Sequence, residues 1–370
     1  MDDPKSMTEA TGFPFFRFRG TFREIGEQYG LAARDPIQKS AAGAIDRRIA
    51  SGHLTKDHAR RLSDAFAAQY RKYAPHLLDE IEGVARGAGI TFDEALFCRT
   101  QWEMHPLSLD EGCTSFAANG RHTASGKLLC GQNKDVSPGK IHAVVILALH
   151  PTGKPAMINF AYWGMCEGPG FNSHGLARFE NSLNFGMKGR RTVPLHLLKR
   201  LFSECSCIDE CVEWVRRMKA DGLLGFTGSA NFAEKSGRLA SVEMLPGDFR
   251  VWDSPDGLLG HANNALHPDL KPLEALRTDT EWLDTYARTA RTEEILRAPG
   301  AKRDLAFAKR LLSDHEGHPA SICRHRVKST TIASVIAQPE EGLLHISHGH
   351  PCENPYVTYR LDEPPETATP

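Results

Sequence analysis

The sequence predicts an α+β fold in which two antiparallel sheets pack face to face and are covered by helices. The first third of the 370 residues shows helical periodicity, whereas the rest contains short apolar, partly β-branched runs bounded by proline and glycine. These patterns occur in blocks of helices and blocks of strands. Such blocks argue against a doubly wound parallel sheet, in which single strands and single helices alternate. A chain of this length can bury an ample core in one or two domains.

Helices dominate the predicted N-terminal third. Thr21 and Glu24 form a capping-box pattern, which opens a helix that ends near residue 33. Apolar side chains then recur at helical spacing at Leu62, Phe66, Tyr70 and Tyr73, and past Pro75 at Leu77, Ile81 and Val84. A second capping box, from Thr91 to Glu94, opens one more helix. Residues 1–14 are polar, and we expect the remainder of this third to be all helical.

The rest of the chain is predicted to contain strands interrupted by pairs of helices. The strands lie at residues 115–118, 127–133, 143–149, 156–161, 229–233, 239–244, 249–252, 331–338 and 342–347. The helices lie at 193–202, at 208–219 and within 280–312. The first two strands form a hairpin that begins just after Cys113.

Charge and composition exclude several classes of function. Lys and Arg number 45 and Asp and Glu 46, so the net charge of -1 does not favour binding to nucleic acid or to an anionic membrane surface. The N-terminus lacks a signal-peptide pattern and no apolar stretch reaches transmembrane length, so we expect a cytoplasmic protein that makes no membrane contact. Nine cysteines without a disulfide-like spacing agree with a reducing compartment.

Two groups of histidine and cysteine resemble metal sites but lack the necessary spacing. The first is His345, His348, His350 and Cys352, where residues 345 and 348 point to opposite faces of a predicted strand. The second is Cys205, Cys207 and Cys211, which lacks the paired Cys-x2-Cys spacing of zinc sites. The chain also has no glycine-rich motif that would hold a phosphate. We therefore expect no metal and no other cofactor.

The most informative stretch surrounds Cys113, which follows a glycine and precedes two hydroxyl residues at the start of the first strand. If the backbone is cut before Cys113, the freed α-amine lies within reach of its own sulfur. Such an amine has an ordinary pKa of about 7.7 to 8, so it can act as the base for the thiol. Glycine suits the cut because it has no side chain to obstruct attack on its carbonyl. On spacing alone, a buried structural cysteine is the more common interpretation.

These residues resemble a known family. Gly112-Cys113-Thr114-Ser115 and Gln132-Asn133-Lys134-Asp135 are similar to the signature of the acyl-CoA:6-aminopenicillanic acid acyltransferase family of cysteine N-terminal nucleophile (Ntn) hydrolases. Further matches follow in order at residues 19–30, 171–176, 181–183, 261–264 and 348–352. The resemblance implies a four-layer αββα Ntn-hydrolase sandwich with a helical N-terminal segment. It also implies self-cleavage between Gly112 and Cys113, which would divide the chain into an N-terminal propeptide or α-subunit (1–112) and a catalytic β-subunit (113–370).

The resemblance also implies roles for individual residues. It makes Cys113 the nucleophile, Asp135 a member of the catalytic group, and Asn263 the donor of a side-chain amide to the oxyanion hole. Asn264 follows directly, so the choice between these two asparagines stays open. Lys134 occupies a position that is often aromatic in relatives. Residues that could contact the substrate or support the site, or could equally be structural, are Thr114, Ser115, Asn133, Lys134, Arg178 and Asn181.

These features together predict a self-processing cysteine amidohydrolase that acts through an acyl-cysteine. Its small-molecule substrate would carry an amide of the N-acyl amino acid, peptide-like or β-lactam side-chain type, and its two pieces would remain together as an α/β heterodimer. The closest alternative is an acyltransferase that moves an acyl group from a thioester or amide to an amine. A non-processing binding protein with the same fold, or a papain-like cysteine hydrolase with a histidine partner, would remain a single chain.

Overall fold

A computed structural model describes residues 12–50, 52, 55–100, 112–183, 185–186, 193–275 and 280–363. Its helices are α1 (Phe22–Ala32), α2 (Arg34–Ala50), α3 (Lys56–Tyr73), α4 (Pro75–Ala88), α5 (Phe92–Thr100), α6 (Leu195–Phe202), α7 (Ile208–Ala220), α8 (Thr280–Arg297) and α9 (Leu305–Leu312). Its strands are β1 (Phe15–Gly20), β2 (Gly112–Ala118), β3 (Leu129–Val136), β4 (Val144–Pro151), β5 (Met157–Tyr162), β6 (Gly170–Asn172), β7 (Ala177–Asn181), β8 (Gly228–Ala233), β9 (Leu239–Leu245), β10 (Asp248–Asp253), β11 (Leu258–His261), β12 (Thr330–Gln338), β13 (Leu343–His348) and β14 (Tyr356–Arg360).

Two sheets form the centre of the molecule. Sheet A contains eight strands in the order β1-β4-β5-β6-β7-β8-β9-β10, and sheet B contains six strands in the order β11-β2-β3-β12-β13-β14. Neighbouring strands in both sheets are antiparallel, apart from β1 and β4, which are parallel. The cysteine of interest therefore lies in sheet B, on a strand flanked by β11 and β3.

Alternating side chains of the central strands separate the layers. In β4, Val145 and Leu147 pack with α1, α3, α4, α6 and α7, whereas Val144 and Ile146 pack against residues of sheet B. On the other side of sheet B, Phe116 and Ile336 pack against α8 and α9. The order of layers is helix, sheet A, sheet B, helix, which confirms the predicted fold class.

The predicted N-terminal helices are present, but the expectation of an all-helical N-terminal third is wrong. Thr21 and Glu24 form the predicted capping box, and Thr91 and Glu94 make the same pair of contacts. Phe15–Gly20, however, is a strand that pairs with β4, whose residues lie far along the chain. Strands β6, β7, β11 and β14 were also not predicted, because three to five residues carry too little periodicity to be recognised alone. Most of the predicted polar N-terminal end lies outside the described residues.

Glycines allow α1 and α4 to pack unusually closely. A Cβ atom added at Gly26 would lie 2.1 Å from the main-chain oxygen of Glu80, and one added at Gly83 would lie 2.2 Å from that of Arg23. Any side chain at these positions would push the helices apart. The close approach of the two helices therefore depends on glycine.

The N-terminal residues contact an edge strand of each sheet. β1 forms the edge of sheet A, and the main-chain N–H of Phe13 donates to the Tyr359 hydroxyl at 2.8 Å in sheet B. Helices α1, α3 and α4 supply much of the apolar layer that covers sheet A. No helix of the described residues is both long enough and apolar enough to cross a membrane.

Buried charges join the helix layer to sheet A. Glu80 accepts hydrogen bonds from Arg99 at 2.8 Å and from Arg200 at 3.1 Å. Glu167 accepts one from His196 Nδ1 at 2.9 Å, and all five side chains are buried. Burial lowers the pKa of His196 to about 4, so this imidazole is neutral near pH 7.

We expect the stability of the protein to fall as the pH drops below about 6.5, the ordinary pKa of histidine. Between that pH and the lowered pKa, the unfolded chain binds a proton that the folded His196 does not. The free energy of unfolding should then decrease by about 1.4 kcal/mol per pH unit for this group, or about 2 kcal/mol at pH 5. Urea unfolding at pH 7.5 and pH 5 should show a smaller loss for His196→Gln than for wild type. His142 is exposed, so His142→Gln should show the same decrease in the free energy of unfolding between the two pH values as wild type. An equal decrease in the His196 and His142 variants would show that His196 is not the group responsible.

Candidate active site

Cys113 is the second residue of β2, and its side chain points into the space between the two sheets. This follows from its position on the same face of β2 as Ala117, which belongs to the core between the sheets. The residue is 3% exposed. Its direct neighbour on β3 is Lys134, so the half-buried lysine begins on the same face as the thiol.

Three side chains hold the main chain of Cys113. Its N–H donates to Asn263 Oδ1 at 3.0 Å, and its carbonyl accepts from Asn181 Nδ2 at 2.9 Å and from an Arg288 guanidinium nitrogen at 2.8 Å. Asn181 ends β7 in sheet A, Asn263 follows β11 in sheet B, and Arg288 lies on α8. Polar groups from three layers therefore converge on the residue that the sequence identifies as the nucleophile.

Arg288 connects these groups to one another. Besides the Cys113 carbonyl, its guanidinium donates to Thr114 Oγ1 at 2.8 Å and to Asn263 Oδ1 at 2.9 Å. Its Nε donates to Asp284 Oδ1 at 2.8 Å, one turn earlier on α8. The side chain is 2% exposed, and the planar guanidinium satisfies all four acceptors in a fixed geometry.

The structure distinguishes between the two adjacent asparagines. Asn263 reaches Cys113, whereas Asn264 faces α8, where its Oδ1 accepts from Thr285 at 3.3 Å and from Thr289 at 2.6 Å. Asn263 presents its oxygen to Cys113, while its amide NH2 donates to the Ser182 carbonyl at 2.9 Å. In this uncut chain, Asn263 therefore acts toward Cys113 as an acceptor and not as the donor that an oxyanion hole requires.

Asp135 lies next to Gly112, on the face of sheet B that is turned toward the helices. The two residues are direct neighbours on β3 and β2, and Asp135 Oδ2 would be 3.4 Å from a Cβ atom at Gly112. Thr331 donates to Asp135 Oδ1 at 2.7 Å, and Oδ2 has no hydrogen-bond partner among the described residues. Burial raises the pKa of Asp135, although Arg324 and Arg288 oppose the shift.

Arg324 occupies the space that a side chain at residue 112 would need. A Cβ atom at Gly112 would lie 2.2 Å from its guanidinium nitrogen. Asp284 accepts hydrogen bonds from Arg324 at 2.8 Å and from Arg288 at 2.8 Å, so a single buried carboxylate holds both arginines. A side chain at residue 112 would therefore have to displace the Arg324 guanidinium from its position beside Asp284.

We expect Asp135→Asn to separate stability from reactivity. In an uncut Cys113→Ala background, the amide should preserve the Thr331 contact and remove a carboxylate that is costly to ionise in the folded chain. A carboxyl group whose pKa is raised by folding stabilises the folded state at low pH, and this contribution is lost as the pH rises. The gain in the free energy of unfolding from Asn should therefore be larger at pH 7 than at pH 4. Urea unfolding at both pH values measures this difference.

With Cys113 present, Asp135→Asn should slow self-cleavage and amide turnover by about 10²-fold or more, because a neutral amide stabilises poorly the positive charge that the Cys113 nitrogen gains as it leaves in the first reaction and carries as an ammonium group in the second. The exposed Asp209→Asn is the matched control and should behave as wild type in both assays. If Asp135→Asn reacted at wild-type rates, Asp135 would have no role in either reaction.

Ser115 and Asn181 belong to a buried polar network between the sheets. Ser115 Oγ donates to Asn181 Oδ1 at 2.8 Å, and Asn231 Nδ2 donates to the same oxygen at 2.6 Å. His261 Nδ1 lies 2.8 Å from Asn231 Oδ1. The network orients Asn181 so that its amide points at the Cys113 carbonyl.

Two of the predicted support residues do not reach Cys113. Arg178 lies on the helix-facing side of sheet A, because Ala177 and Phe179 beside it face the core between the sheets, and its guanidinium donates to the Gly168 carbonyl at 2.8 Å. Asn133 lies on the helix-facing side of sheet B and donates to the carbonyls of Leu312 and Ile322 at 2.8 and 3.0 Å. Strand alternation places both side chains away from the thiol.

Sequence reasoning missed several residues of this site, namely Asn231, Asp284, Arg288 and Arg324. For Arg288, a signal was present: Asp284, Thr285, Arg288 and Thr292 recur at helical spacing and form a buried polar stripe on α8. Arg324 gave no such signal, because it lies outside the helices and strands and only the packing of the chain brings it to Gly112.

A comparison with family models places the chain. Residues 121–353, more than half of the sequence, match the model described as "Acyl-coenzyme A:6-aminopenicillanic acid acyl-transferase". The chain belongs to this acyl-transferase family. The family is described as one of acyl transfer, and this chain is an enzyme of the amidohydrolase and acyltransferase class, which acts on C–N bonds. The match begins after Cys113, so the role of the cysteine depends on the contacts described above.

Solved structures with a similar arrangement share little sequence with this enzyme. A variant of the conjugated bile acid hydrolase from Clostridium perfringens is 16% identical, with 67% of this chain and 97% of that chain covered and a TM-score of 0.44. Penicillin V acylase from Agrobacterium tumefaciens is 11% identical over 63% and 82% of the two chains, with a TM-score of 0.38. A Caenorhabditis elegans ortholog of N-acylethanolamine-hydrolyzing acid amidase is 12% identical over 62% and 93%, with a TM-score of 0.42.

Proposed function

We propose that this acyl-transferase family member cuts itself between Gly112 and Cys113 and then hydrolyses an amide with Cys113 as the N-terminal nucleophile. The observation that carries the proposal is the convergence of Asn263, Asn181 and Arg288 on the main chain of Cys113. The ladder between β11 and β2 ends at Ser115, so these side chains, and not a neighbouring strand, hold the main chain of Cys113 on that side. Membership of the family supports the reaction class.

Self-cleavage would proceed by transfer of an acyl group from nitrogen to sulfur. The Cys113 thiol attacks the Gly112 carbonyl carbon, a C–S bond forms, the C–N bond breaks, and the thiol proton passes to the Cys113 nitrogen. Water then hydrolyses the thioester, which leaves a carboxylate on Gly112 and restores the thiol. Asn263 Oδ1 already accepts from the nitrogen that leaves, so it holds that atom in place before and after the cut.

Arg324 and Asp135 would assist on the other face of the strand. The Arg324 guanidinium lies against Gly112, where it can offset negative charge as the carbonyl becomes tetrahedral. The Asp135 carboxylate lies beside Gly112, whose bond to Cys113 is cut, so it lies near the position of the new α-ammonium. The free amine is then positioned between an acceptor, Asn263, and a carboxylate.

In the proposed turnover, the α-amine takes the thiol proton and the sulfur attacks the substrate carbonyl. The amine passes this proton to the leaving nitrogen as the C–N bond breaks and the acyl-cysteine forms. Water then attacks the acyl-cysteine, and the amine moves a proton from the water to the departing sulfur, which restores the thiol. For Asn263 to act as the oxyanion donor, its amide NH2 has to leave the Ser182 carbonyl by a rotation of the side chain. Until then, Arg288 and Asn181 are the side-chain donors directed at the Cys113 main chain.

The cut chain should remain an α/β heterodimer. The segment before the cut supplies the edge strand β1 and a large part of the helix layer over sheet A. Removing it would expose that apolar face to water, at a cost of about 25 cal/mol per Å². We place the enzyme in the cytoplasm, where a reducing environment keeps the thiol active.

A carboxylate-bearing substrate suits the site best. Lys134 begins on the same face as Cys113 and directly opposite it, which adds a positive charge to that side of the strand. N-acyl amino acids, peptide-like amides and β-lactam side-chain amides all combine an amide with a carboxylate. We favour hydrolysis over acyl transfer, because water is always available and the sequence identifies no coenzyme A site.

The proposal is tested on the purified wild-type enzyme by intact-mass analysis and N-terminal sequencing. We expect two polypeptides, with the larger beginning Cys-Thr-Ser-Phe. A screen of acyl donors with and without a free amine then separates hydrolase from transferase. A single uncut chain that still turns over an amide would show the mechanism to be wrong, and an uncut, inactive chain would favour a binding protein.

A further inference from the structure

Four side chains outside the proposed active site meet at one point near the end of α9. They are His315, Cys323, His325 and Cys352, and the potential ligand atoms all lie within 4.8 Å of one another. Cys352 lies in the turn between β13 and β14, and the other three lie between α9 and β12. The sequence grouped Cys352 with neighbouring histidines, but His345 instead contacts Thr358 and Gln338. The sequence-based expectation of no metal considered two other groups of residues and not this set of four.

The contacts in this cluster cannot all be hydrogen bonds. His325 Nε2 lies 3.0 Å from His315 Nε2, 3.5 Å from Cys323 Sγ and 3.3 Å from Cys352 Sγ. A single imidazole nitrogen carries either one proton or one lone pair, so it can make one good hydrogen bond and not three. A cation at the centre would use each lone pair once.

Four of the six spacings between the ligand atoms match the edges of a zinc tetrahedron, and the other two, from His315 to each sulfur, are no longer than 4.8 Å. With Zn–S bonds of about 2.3 Å and Zn–N bonds of about 2.0 to 2.1 Å, tetrahedral geometry places two sulfurs about 3.8 Å apart, sulfur and nitrogen about 3.6 Å apart, and two nitrogens about 3.3 Å apart. The sulfurs of Cys323 and Cys352 are 3.7 Å apart, and the sulfur-to-nitrogen and nitrogen-to-nitrogen distances given above are within about 0.3 Å of these values. A disulfide would instead require the two sulfurs to be about 2.05 Å apart.

We infer that His315, Cys323, His325 and Cys352 form a structural zinc site. Two thiolates and two imidazoles are a common donor set for Zn²⁺, and four protein ligands leave no open position for a substrate. The side chains around the ligands fit this assignment. His325 Nδ1 faces Glu353 Oε1 at 3.8 Å, and the His350 ring stacks on the His325 ring with centroids 3.8 Å apart.

The site would link two separate parts of the chain and fix the segment that carries Arg324. Cys323 and His325 flank Arg324 directly, and the Arg324 guanidinium lies against Gly112. Zinc would thereby tie the turn after β13 to the segment that places this arginine. The zinc site itself does not depend on self-cleavage, and only its consequence for Arg324 rests on the proposed function.

Metal content of the full-length enzyme tests the inference. We expect wild type, produced with added zinc and then gel-filtered, to retain about one zinc per chain. Cys352→Ser and His315→Ala should lose it, whereas the ligand exchanges Cys352→His and His315→Cys should keep it and show that the site can be rebuilt. Cys207→Ser, a half-buried cysteine outside the cluster, is the matched control and should retain zinc.

Cobalt in place of zinc provides a second measurement on the same proteins. Wild type should show the charge-transfer absorption of two thiolates and Cys352→His that of one, with the visible bands of tetrahedral cobalt in both. The inference is overturned if wild type holds no zinc, if denatured wild type has a Cys323–Cys352 disulfide, or if Cys352→Ser and His315→Ala retain zinc fully. An uncut wild type that still binds zinc would contradict only the proposed function.

Discussion

Cys113→Ala is expected to remain a single polypeptide of 370 residues, whereas wild type should separate into pieces of about 12 and 28 kDa, at roughly 110 Da per residue. Alanine keeps the strand and its backbone contacts but removes the sulfur that attacks the Gly112 carbonyl. Both self-cleavage and amide turnover should fall by a factor of about 10⁴ or more, since loss of a nucleophile removes the covalent route entirely. Denaturing gel electrophoresis and intact-mass analysis measure the first, and product release measures the second.

Two further variants are the controls for this prediction. Cys207→Ser changes another cysteine and should be cut and active as wild type is. Cys113→Ser keeps an oxygen nucleophile and should be cut more slowly than wild type but faster than Cys113→Ala. If Cys113→Ala were still cut at Gly112, a different group would perform the cleavage and the proposed nucleophile would be wrong.

Arg288→Met should reduce both self-cleavage and stability. The change removes the donors to the Cys113 carbonyl, to Thr114 and to Asn263, and it leaves buried acceptors that water cannot reach. We expect a loss of about 2 to 4 kcal/mol in the free energy of unfolding. The rate of self-cleavage should fall by about 10²- to 10³-fold, as is typical when one electrostatic donor is removed.

The same helix provides the control for Arg288. Arg291 lies three residues later and pairs with the half-buried Asp314 and the exposed Glu316, so Arg291→Met should cost less stability than Arg288→Met and leave cleavage intact. Arg288→Lys keeps the charge but not the planar set of donors, so it should recover stability better than rate. Equal effects of Arg288→Met and Arg291→Met on cleavage would show that the converging contacts at Cys113 have no role in the reaction.

Where the chain carried a strong local pattern, the sequence predicted the fold well. The two capping boxes gave the starts of α1 and α5, because a hydroxyl and a carboxylate three residues apart satisfy the free amides of a helix start. The apolar runs at β4 and β5 were recognised as buried strands because both of their faces are covered. β1 was missed because a short edge strand takes its identity from β4, a partner far away in the chain.

The sequence alone determined which residue to examine, since a glycine before a cysteine at the start of a strand is a local pattern that suits the proposed self-cleavage. It also determined the layered fold class, because hydrophobic periodicity depends only on neighbours along the chain. Only the tertiary structure shows that Asn263 and not Asn264 contacts Cys113, that the side chains of Arg178 and Asn133 point away from it, and that Arg288 and Arg324 lie against residues 113 and 112. The face on which a side chain lies, and the distant residue that it meets, are set by strand register and by packing between layers.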